Sequence, residues 1–157
     1  MRIDIALKDQ VFDPAAEAER VWQGNPSVGG VVSFLGLMRD LNEGEAVQEM
    51  FLEHYPGMTE RALEKIAAEA AERWELEGLR VVHRVGAVRP EQPIVLVAVA
   101  ARHRGEAFRA CEFVIDYLKT RAPFWKKEAV TGGQRWVSAR KSDDEAERRW
   151  ESKPGER

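Results

Sequence analysis

The sequence is poor in the residues that build metal clusters and disulfide frameworks. It has one cysteine, Cys111, and three histidines at unrelated spacings, so neither an internal disulfide nor a Cys-based zinc cluster is expected. It also lacks a long apolar run: the stretch IVLVAVAA, residues 94–101, is far too short to cross a bilayer. The start MRIDIALKDQ has no apolar signal core, so we expect a soluble, cytoplasmic protein. Because the histidines and the cysteine form no metal-binding motif, we also expect that it binds no metal.

An excess of positive charge is absent as well. The 24 Lys and Arg residues are outnumbered by 27 Asp and Glu residues, which gives a formal net charge of −3. A general nucleic-acid binder is usually basic overall, so any site for an anion must be local. The length of 157 residues and the hydrophobic fraction of 44% predict one globular domain with a real core. We place this domain at residues 1–150, followed by a flexible tail at 151–157.

The hydrophobic pattern predicts a mixture of hairpins and helices. Alternation predicts a strand at 2–7, and the glycine-containing VGGVVSFLGLM at 28–38 predicts a strand with a bulge or a close backbone approach. A second strand at 46–54 suggests that these two form a long-looped hairpin. Residues 94–101 read as a strand that is covered on both faces. The predicted fold class is therefore α+β.

Two helices and a second hairpin follow from the same pattern. Apolar residues at helical spacing predict a helix over 58–74, and a second helix over 105–120 with Phe108, Cys111, Ile115 and Leu118 on one stripe. Pro123 ends that second helix near Ala122, because the residue before a proline disfavours the α conformation. The segments 124–130 and 134–137 flank a Thr-Gly-Gly turn and are predicted to pair.

Basic residues gather at the ends of these elements, where sites are usually built. Arg39 ends a strand, His103 and Arg104 open a helix, and Lys119, Lys126 and Lys127 bracket the Pro123 break. Taken alone, Lys119 is explained as a cation in the last turn of a helix that complements the negative end of the helix dipole. The apolar Pro-Phe-Trp segment beside the lysines supports the alternative, because low polarity and neighbouring cations tune a lysine toward acid–base or nucleophilic work.

Two other reactive residue types are interpreted as structural. His83 shares a strand face with two valines, which favours a half-buried structural histidine. Cys111 lies on an apolar stripe, which favours a buried, inert thiol.

Five segments in the correct order resemble one family closely. They are GGVVSFLGLMRDLNEGE, LEHYPGMTERALEKI, RWELEGLRVVHRVGAV, HRGEAFRACEFVIDYLKTRAPFWKKE and GGQRWVSAR. Together they resemble the large, catalytic subunit of molybdopterin synthase, from about Val28 to Trp150.

The resemblance implies an α/β-hammerhead-like fold with an additional antiparallel sheet, and a dimer. It also implies a sulfur transferase that needs no cofactor of its own. Such enzymes convert cyclic pyranopterin monophosphate into molybdopterin by inserting two sulfurs as a dithiolene. The sulfur donor is a thiocarboxylate on the C-terminal Gly-Gly tail of a small ubiquitin-like partner. Two large and two small subunits form a heterotetramer.

The resemblance also assigns roles to individual residues. Lys119 and Lys126 are the expected catalytic lysines, with Glu128 holding Lys126 in place. Family members often carry a lysine or another polar residue where this chain has Leu37, so the substrate contact expected there is a backbone one. Expected substrate contacts are Leu37, Met38, Arg39, His103, Arg104, Lys119, Lys126, Lys127, Glu128 and Arg140, with His103 and Arg104 supplied by the neighbouring subunit. Phe34, Phe124 and Trp125 are expected to line the groove for the partner's tail.

Two other classes of function compete with this reading. A noncatalytic module would use the same lysines only to clamp the tail of a ubiquitin-like partner. An RNA-binding protein would use the basic groups and exposed aromatics, which the acidic composition disfavours.

Overall fold

A computed structural model describes residues 1–42, 44–130, 133–137 and 141–151 of the chain. Its strands are Arg2–Lys8 (β1), Gly30–Leu37 (β2), Leu41–Asn42 (β3), Glu45–His54 (β4), Gly78–Arg84 (β5), Gly86–Val88 (β6), Pro93–Ala101 (β7), Phe124–Val130 (β8) and Gly133–Val137 (β9). Its helices are Pro14–Glu19 (α1), Met58–Arg73 (α2), Arg104–Arg121 (α3) and Lys141–Arg148 (α4). None of these helices is long and apolar enough to span a membrane.

The first sheet has the strand order β1-β5-β7-β2. β1 and β5 run parallel, while β7 is antiparallel to both β5 and β2. Residues of α2 and α3 join one face of the sheet in the main hydrophobic core, and Phe12 and Val21 pack on the other face. The prediction that β7 is covered on both faces is confirmed. β5 is buried along its whole length too, because it lies beside β7 in the sheet centre.

The second sheet is antiparallel, with the order β3-β4-β8-β9 and with β6 on β4. The predicted hairpin of β8 and β9 is confirmed. The predicted hairpin of β2 and β4 is wrong, since β2 pairs with β7 and β4 pairs with β8 and β6. Met38 continues the pairing of β2 beyond its last residue: its N–H donates to the carbonyl of Gln92 and its carbonyl accepts from the N–H of Glu91, so this end of the strand stays beside the segment that precedes β7.

Two glycines of the β2 segment allow close approach, as the sequence suggested. A Cβ on Gly29 would overlap the carbonyl oxygen of Arg102. A Cβ on Gly36 would lie 2.9 Å from Cγ1 of Val95, and the register with β7 shifts between Gly36 and Leu37. The bulge therefore re-aims the end of β2 toward the second sheet.

Both long helices form where the pattern predicts them. α2 buries Leu63, Ile66, Ala67 and Ala70, as expected. In α3 the predicted stripe is wrong at Phe108, which is 60% exposed. The buried face instead includes Ala107, Ala110, Cys111, Val114 and Leu118. Ala107, the residue before Phe108, points into the core in its place. α3 ends at Arg121 and Ala122 is extended, as Pro123 predicts.

Trp150 closes the core at the end of the described chain. It is buried, its ring meets Trp74 and Phe113 edge-on, and its indole N–H donates to Asp116 at 2.7 Å. We therefore expect Trp150→Ala to lower the free energy of unfolding by about 3–5 kcal/mol in urea titrations. Trp22→Ala is the control, since Trp22 is exposed and its loss should cost no more than about 0.5 kcal/mol. Equal losses for the two variants would contradict this packing.

Candidate active site

A cavity of about 470 Å³ opens where the two sheets meet. The end of β2 and the start of β7 supply one wall, while the last turn of α3 and β8 supply another. Apolar side chains make up much of the lining, including Phe34, Leu118 and Phe124. Charged side chains share it: Arg39, Lys119, Lys126, Glu128 and Asp143.

The Pro123 break brings Lys119 and Lys126 to this one cavity. Lys119 lies in the last turn of α3, the chain turns at Pro123, and Lys126 follows on β8. Both side chains are partly buried. The helix dipole alone therefore does not account for Lys119, because its side chain lines a cavity together with a second lysine. Cations beside apolar walls interact strongly with an anion, since little water screens them.

Alternation along β8 separates its residues into two sets. Phe124, Lys126 and Glu128 line the cavity, so Trp125 and Lys127 lie on the opposite face of the sheet. There the Lys127 ammonium lies 5.4 Å from the ring centroid of Trp136. The contacts predicted for Trp125 and Lys127 fall outside the cavity and stay predictions.

Glu128 has an ionic partner that sequence reasoning missed. Its carboxylate is buried and accepts a hydrogen bond from Nε of Arg135 at 3.1 Å. Arg135 comes from β9, directly opposite Glu128 in the hairpin register. The expected role of Glu128 in holding Lys126 stays a prediction.

The end of β2 supplies three more of the predicted substrate contacts. Leu37 and Arg39 are exposed, whereas Met38 is buried, and all three line the cavity. Arg140 lies outside the described residues.

His103 and Arg104 lie far from the cavity of their own chain. They are exposed at the start of α3, and Arg104 faces Gly30 at the opposite end of β2. Lys119 is fifteen residues further along the same helix, which corresponds to roughly 22 Å at a rise of about 1.5 Å per residue. Neither side chain lines the cavity.

His83 is a structural histidine, as interpreted from the sequence, but it is fully rather than half buried and it also lines the cavity. It is 2% exposed, lines the cavity, and stacks on Phe124 with ring centroids 3.8 Å apart. Its Nδ1 lies 2.7 Å from the carbonyl oxygen of Arg84. Burial, with a smaller contribution from the charges of Lys119 and Lys126, lowers the pKa of His83 to about 3. No local pattern signals this, because Phe124 and both lysines are distant in sequence.

A buried neutral imidazole makes stability depend on pH. His83 has an ordinary pKa of 6.5 when unfolded and a pKa of about 3 when folded. Between these values the unfolded state binds more protons, so stability falls as the pH falls, by about 1.4 kcal/mol per pH unit. His83→Gln should therefore remove about 2 kcal/mol of the stability difference between about pH 7 and pH 5 in urea titrations. Equal differences in both proteins would contradict burial in the neutral form.

Cys111 is an inert thiol, as interpreted from the sequence. It is buried in α3, and its Sγ lies 3.7 Å from the carbonyl oxygen of Val97. Burial raises the pKa of the thiol to about 12. Cys111 is also absent from the cavity lining, and a thiol that stays protonated is a poor nucleophile.

The described residues contain no group of three or more His, Cys, Asp or Glu side chains suited to a metal ion. The fold and the site thus define an α+β domain with a cationic, partly apolar cavity between its two sheets.

The chain belongs to the MoaE protein family, whose model matches residues 7–121. A curated relative from Ralstonia nicotianae, a molybdopterin synthase catalytic subunit, is 56% identical over 93% of this chain and 83% of its own length. The molybdopterin cofactor biosynthesis protein E of Burkholderia multivorans has a solved structure with a TM-score of 0.81 and 50% identity, covering 98% of this chain and 99% of that one.

A more distant structure, the molybdopterin synthase of Staphylococcus aureus, has a TM-score of 0.78 and 31% identity, covering 84% of this chain and 95% of that one. The family and the fold class expected from the sequence are confirmed.

Proposed function

We propose that this chain is the catalytic subunit of a molybdopterin synthase. It converts cyclic pyranopterin monophosphate into molybdopterin with sulfur from the thiocarboxylate of a small ubiquitin-like subunit. The main observation in support is that Lys119 and Lys126 line the same cavity in a chain of the MoaE family. The names of the curated relatives support the same activity. The proposal places the reaction in the cytoplasm.

The charge of the cavity matches both reactants. The pterin phosphate and the partner's thiocarboxylate are anions, while Arg39, Lys119 and Lys126 are cations lining the cavity. The whole chain has a net charge of −3, so the attraction is confined to this site. A local cationic site suits a small anionic substrate and the end of a peptide better than an extended nucleic acid.

The two lysines divide the chemistry between them. The thiocarboxylate sulfur forms a bond to an oxygen-bearing carbon of the pterin side chain, the carbon–oxygen bond breaks, and the oxygen leaves as water or as a phosphate oxygen. The product is a thioester between substrate and partner. Water then cleaves the acyl carbon–sulfur bond, so the partner leaves as a carboxylate and the sulfur stays on the pterin. Lys119 orients the thiocarboxylate and assists acyl transfer, while Lys126 stabilises the negative charge that develops on the acyl oxygen.

The partner's tail reaches this chemistry as an extended peptide. Phe34 and Phe124 line the cavity and give the tail an apolar passage. A Gly-Gly terminus has no side chains beyond Cα, so it fits a narrow passage and binds through its backbone. Leu37 at the end of β2 is exposed and lines the cavity, and its backbone contributes such contacts in this proposal.

The site is completed by a second copy of the chain. His103 and Arg104 are too far from their own cavity to touch a substrate bound there. β2 has only β7 as a neighbour among the described strands, which leaves one edge for another chain. Val31 and Leu35 of β2 and Phe108 of α3 are exposed apolar residues of the kind that dimer interfaces bury. Dimerisation through this region would bring cations of one chain toward the cavity of the other.

Reconstitution of the reaction tests the proposed function. The purified chain is mixed with a thiocarboxylated ubiquitin-like partner and cyclic pyranopterin monophosphate, and molybdopterin is quantified. We expect product that depends on the thiocarboxylate, with a partner ending in an ordinary carboxylate as the control. A stable complex that yields no product would contradict the proposal and leave a noncatalytic binding module as the better account.

A further inference from the structure

His83 lines the cavity, and one ring face and one ring nitrogen have identified contacts. One face of the ring stacks on Phe124, with an interplanar angle of 14°. Nδ1 lies 2.7 Å from the carbonyl oxygen of Arg84. A carbonyl oxygen only accepts hydrogen bonds, so Nδ1 carries the proton and Nε2 carries a lone pair. Nε2 is therefore the remaining polar atom of a side chain that lines the cavity.

The surroundings of His83 keep its ring neutral. Lys119 of α3 and Lys126 of β8 lie close enough for their charges to oppose protonation. An imidazolium would be a further cation in a cavity that already contains these lysines. The other charged groups that line the cavity are Arg39 after β2, Glu128 on β8 and Asp143 on α4. The Nδ1 proton bonds to the Arg84 carbonyl, so the polar group that the neutral ring offers to the cavity is the acceptor Nε2.

We propose that His83 is a positioning residue for sulfur transfer, whose Nε2 accepts a hydrogen bond from a lysine ammonium and holds it against the thiocarboxylate. Lys119 is the first candidate donor, because it is the lysine assigned to acyl transfer in the proposed function and it lines the cavity together with His83. A lysine side chain has four rotatable bonds, so a fixed acceptor limits where its ammonium can go. This inference rests on the proposed function.

Three substitutions separate the acceptor from the packing of the ring. His83→Asn retains a donor near the Arg84 carbonyl but has no group at the position of Nε2. His83→Gln places its amide group near that position, and His83→Phe retains a ring against Phe124 without nitrogen. We expect kcat to fall roughly 10- to 100-fold in the Asn and Phe variants. In the Gln variant we expect kcat to recover to within about 5-fold of wild type, with the KM for the partner little changed in all three.

The recovery distinguishes positioning from a structural role. A purely structural histidine would be replaced best by Phe, because Phe retains the stacking and the volume. Full activity of His83→Phe, or a Gln variant no better than Phe, would overturn the inference. Absence of product from the wild-type complex would instead overturn the proposed function, so the two failures are distinguishable.

A spectroscopic measurement on the wild-type complex needs no folded His83 variant. Long-range ¹H–¹⁵N spectra report which ring nitrogen is protonated, and the chain has only three histidines to assign. We expect His83 to show a protonated Nδ1 and an unprotonated Nε2 whose shift changes in Lys119→Ala. A protonated Nε2, or an Nε2 signal that is unaffected by loss of either lysine, would overturn the inference.

Discussion

Lys119→Ala should abolish most turnover and leave partner binding intact. The lysine lies at the junction of α3 and β8 in the cavity, where the thiocarboxylate meets the pterin in the proposed reaction. Removal of a group that acts in the transition state typically lowers kcat by roughly 100- to 10,000-fold. The partner's tail retains its backbone contacts and the apolar passage beside Phe34 and Phe124, so its Kd should change by less than about 10-fold.

The comparison variant for this experiment is Lys65→Ala. Lys65 is exposed on α2, so its replacement removes the same charge far from the cavity and should leave kcat unchanged. Single-turnover assays measure the chemical step, and titration calorimetry measures the partner's Kd. If Lys119→Ala weakens partner binding as much as it lowers turnover, the lysine only clamps the tail and the noncatalytic reading gains support.

Mixing two inactive variants should restore activity if the cavity is completed across a dimer. Lys119→Ala removes a group of the cavity, and Arg104→Ala removes a group supplied to the neighbouring chain. In a mixed dimer, one of the two cavities then has both residues. Random mixing makes about half of the dimers mixed, so activity should rise to about one quarter of wild type.

A second pair of variants controls for nonspecific recovery. Lys119 and Lys126 line the same cavity, so Lys119→Ala mixed with Lys126→Ala leaves no complete cavity and should stay inactive. The chains are refolded together or expressed together, and molybdopterin formation is measured against each variant alone. No recovery in the Lys119 and Arg104 pair, despite mixed dimers detected by mass spectrometry, would contradict completion of the site across the dimer.

Local signals in the sequence predicted most elements but not their partners. β-Branched and aromatic residues with embedded glycines located β2, and helical spacing located α2, because both signals come from residues close in sequence. The same signals assigned β2 to the wrong neighbour. Strand pairing depends on contacts between distant segments, here β2 with β7, and a bulge at Gly36 directs the chain to the other sheet.

The same division holds for the site. Lys119 and Lys126 were identified because they flank Pro123, a break that the sequence displays directly. The sequence did not show that His83 lines the cavity, because its neighbours there come from α3 and β8. Trp125 and Lys127 show that closeness in sequence can also mislead. They are neighbours of Lys126 in the chain, but alternation along β8 puts them on the opposite face of the sheet.

The sequence by itself determined the fold class, the positions of most helices and strands, the family resemblance and the two lysines. These depend on periodicity, on proline and glycine chemistry and on motif order, all of which are local or linear properties of the chain. Only the tertiary structure decided that β2 and β4 belong to different sheets and that His83 lines one cavity with the two lysines. The physical reason is that packing joins residues whose separation along the chain carries no information about their distance in space.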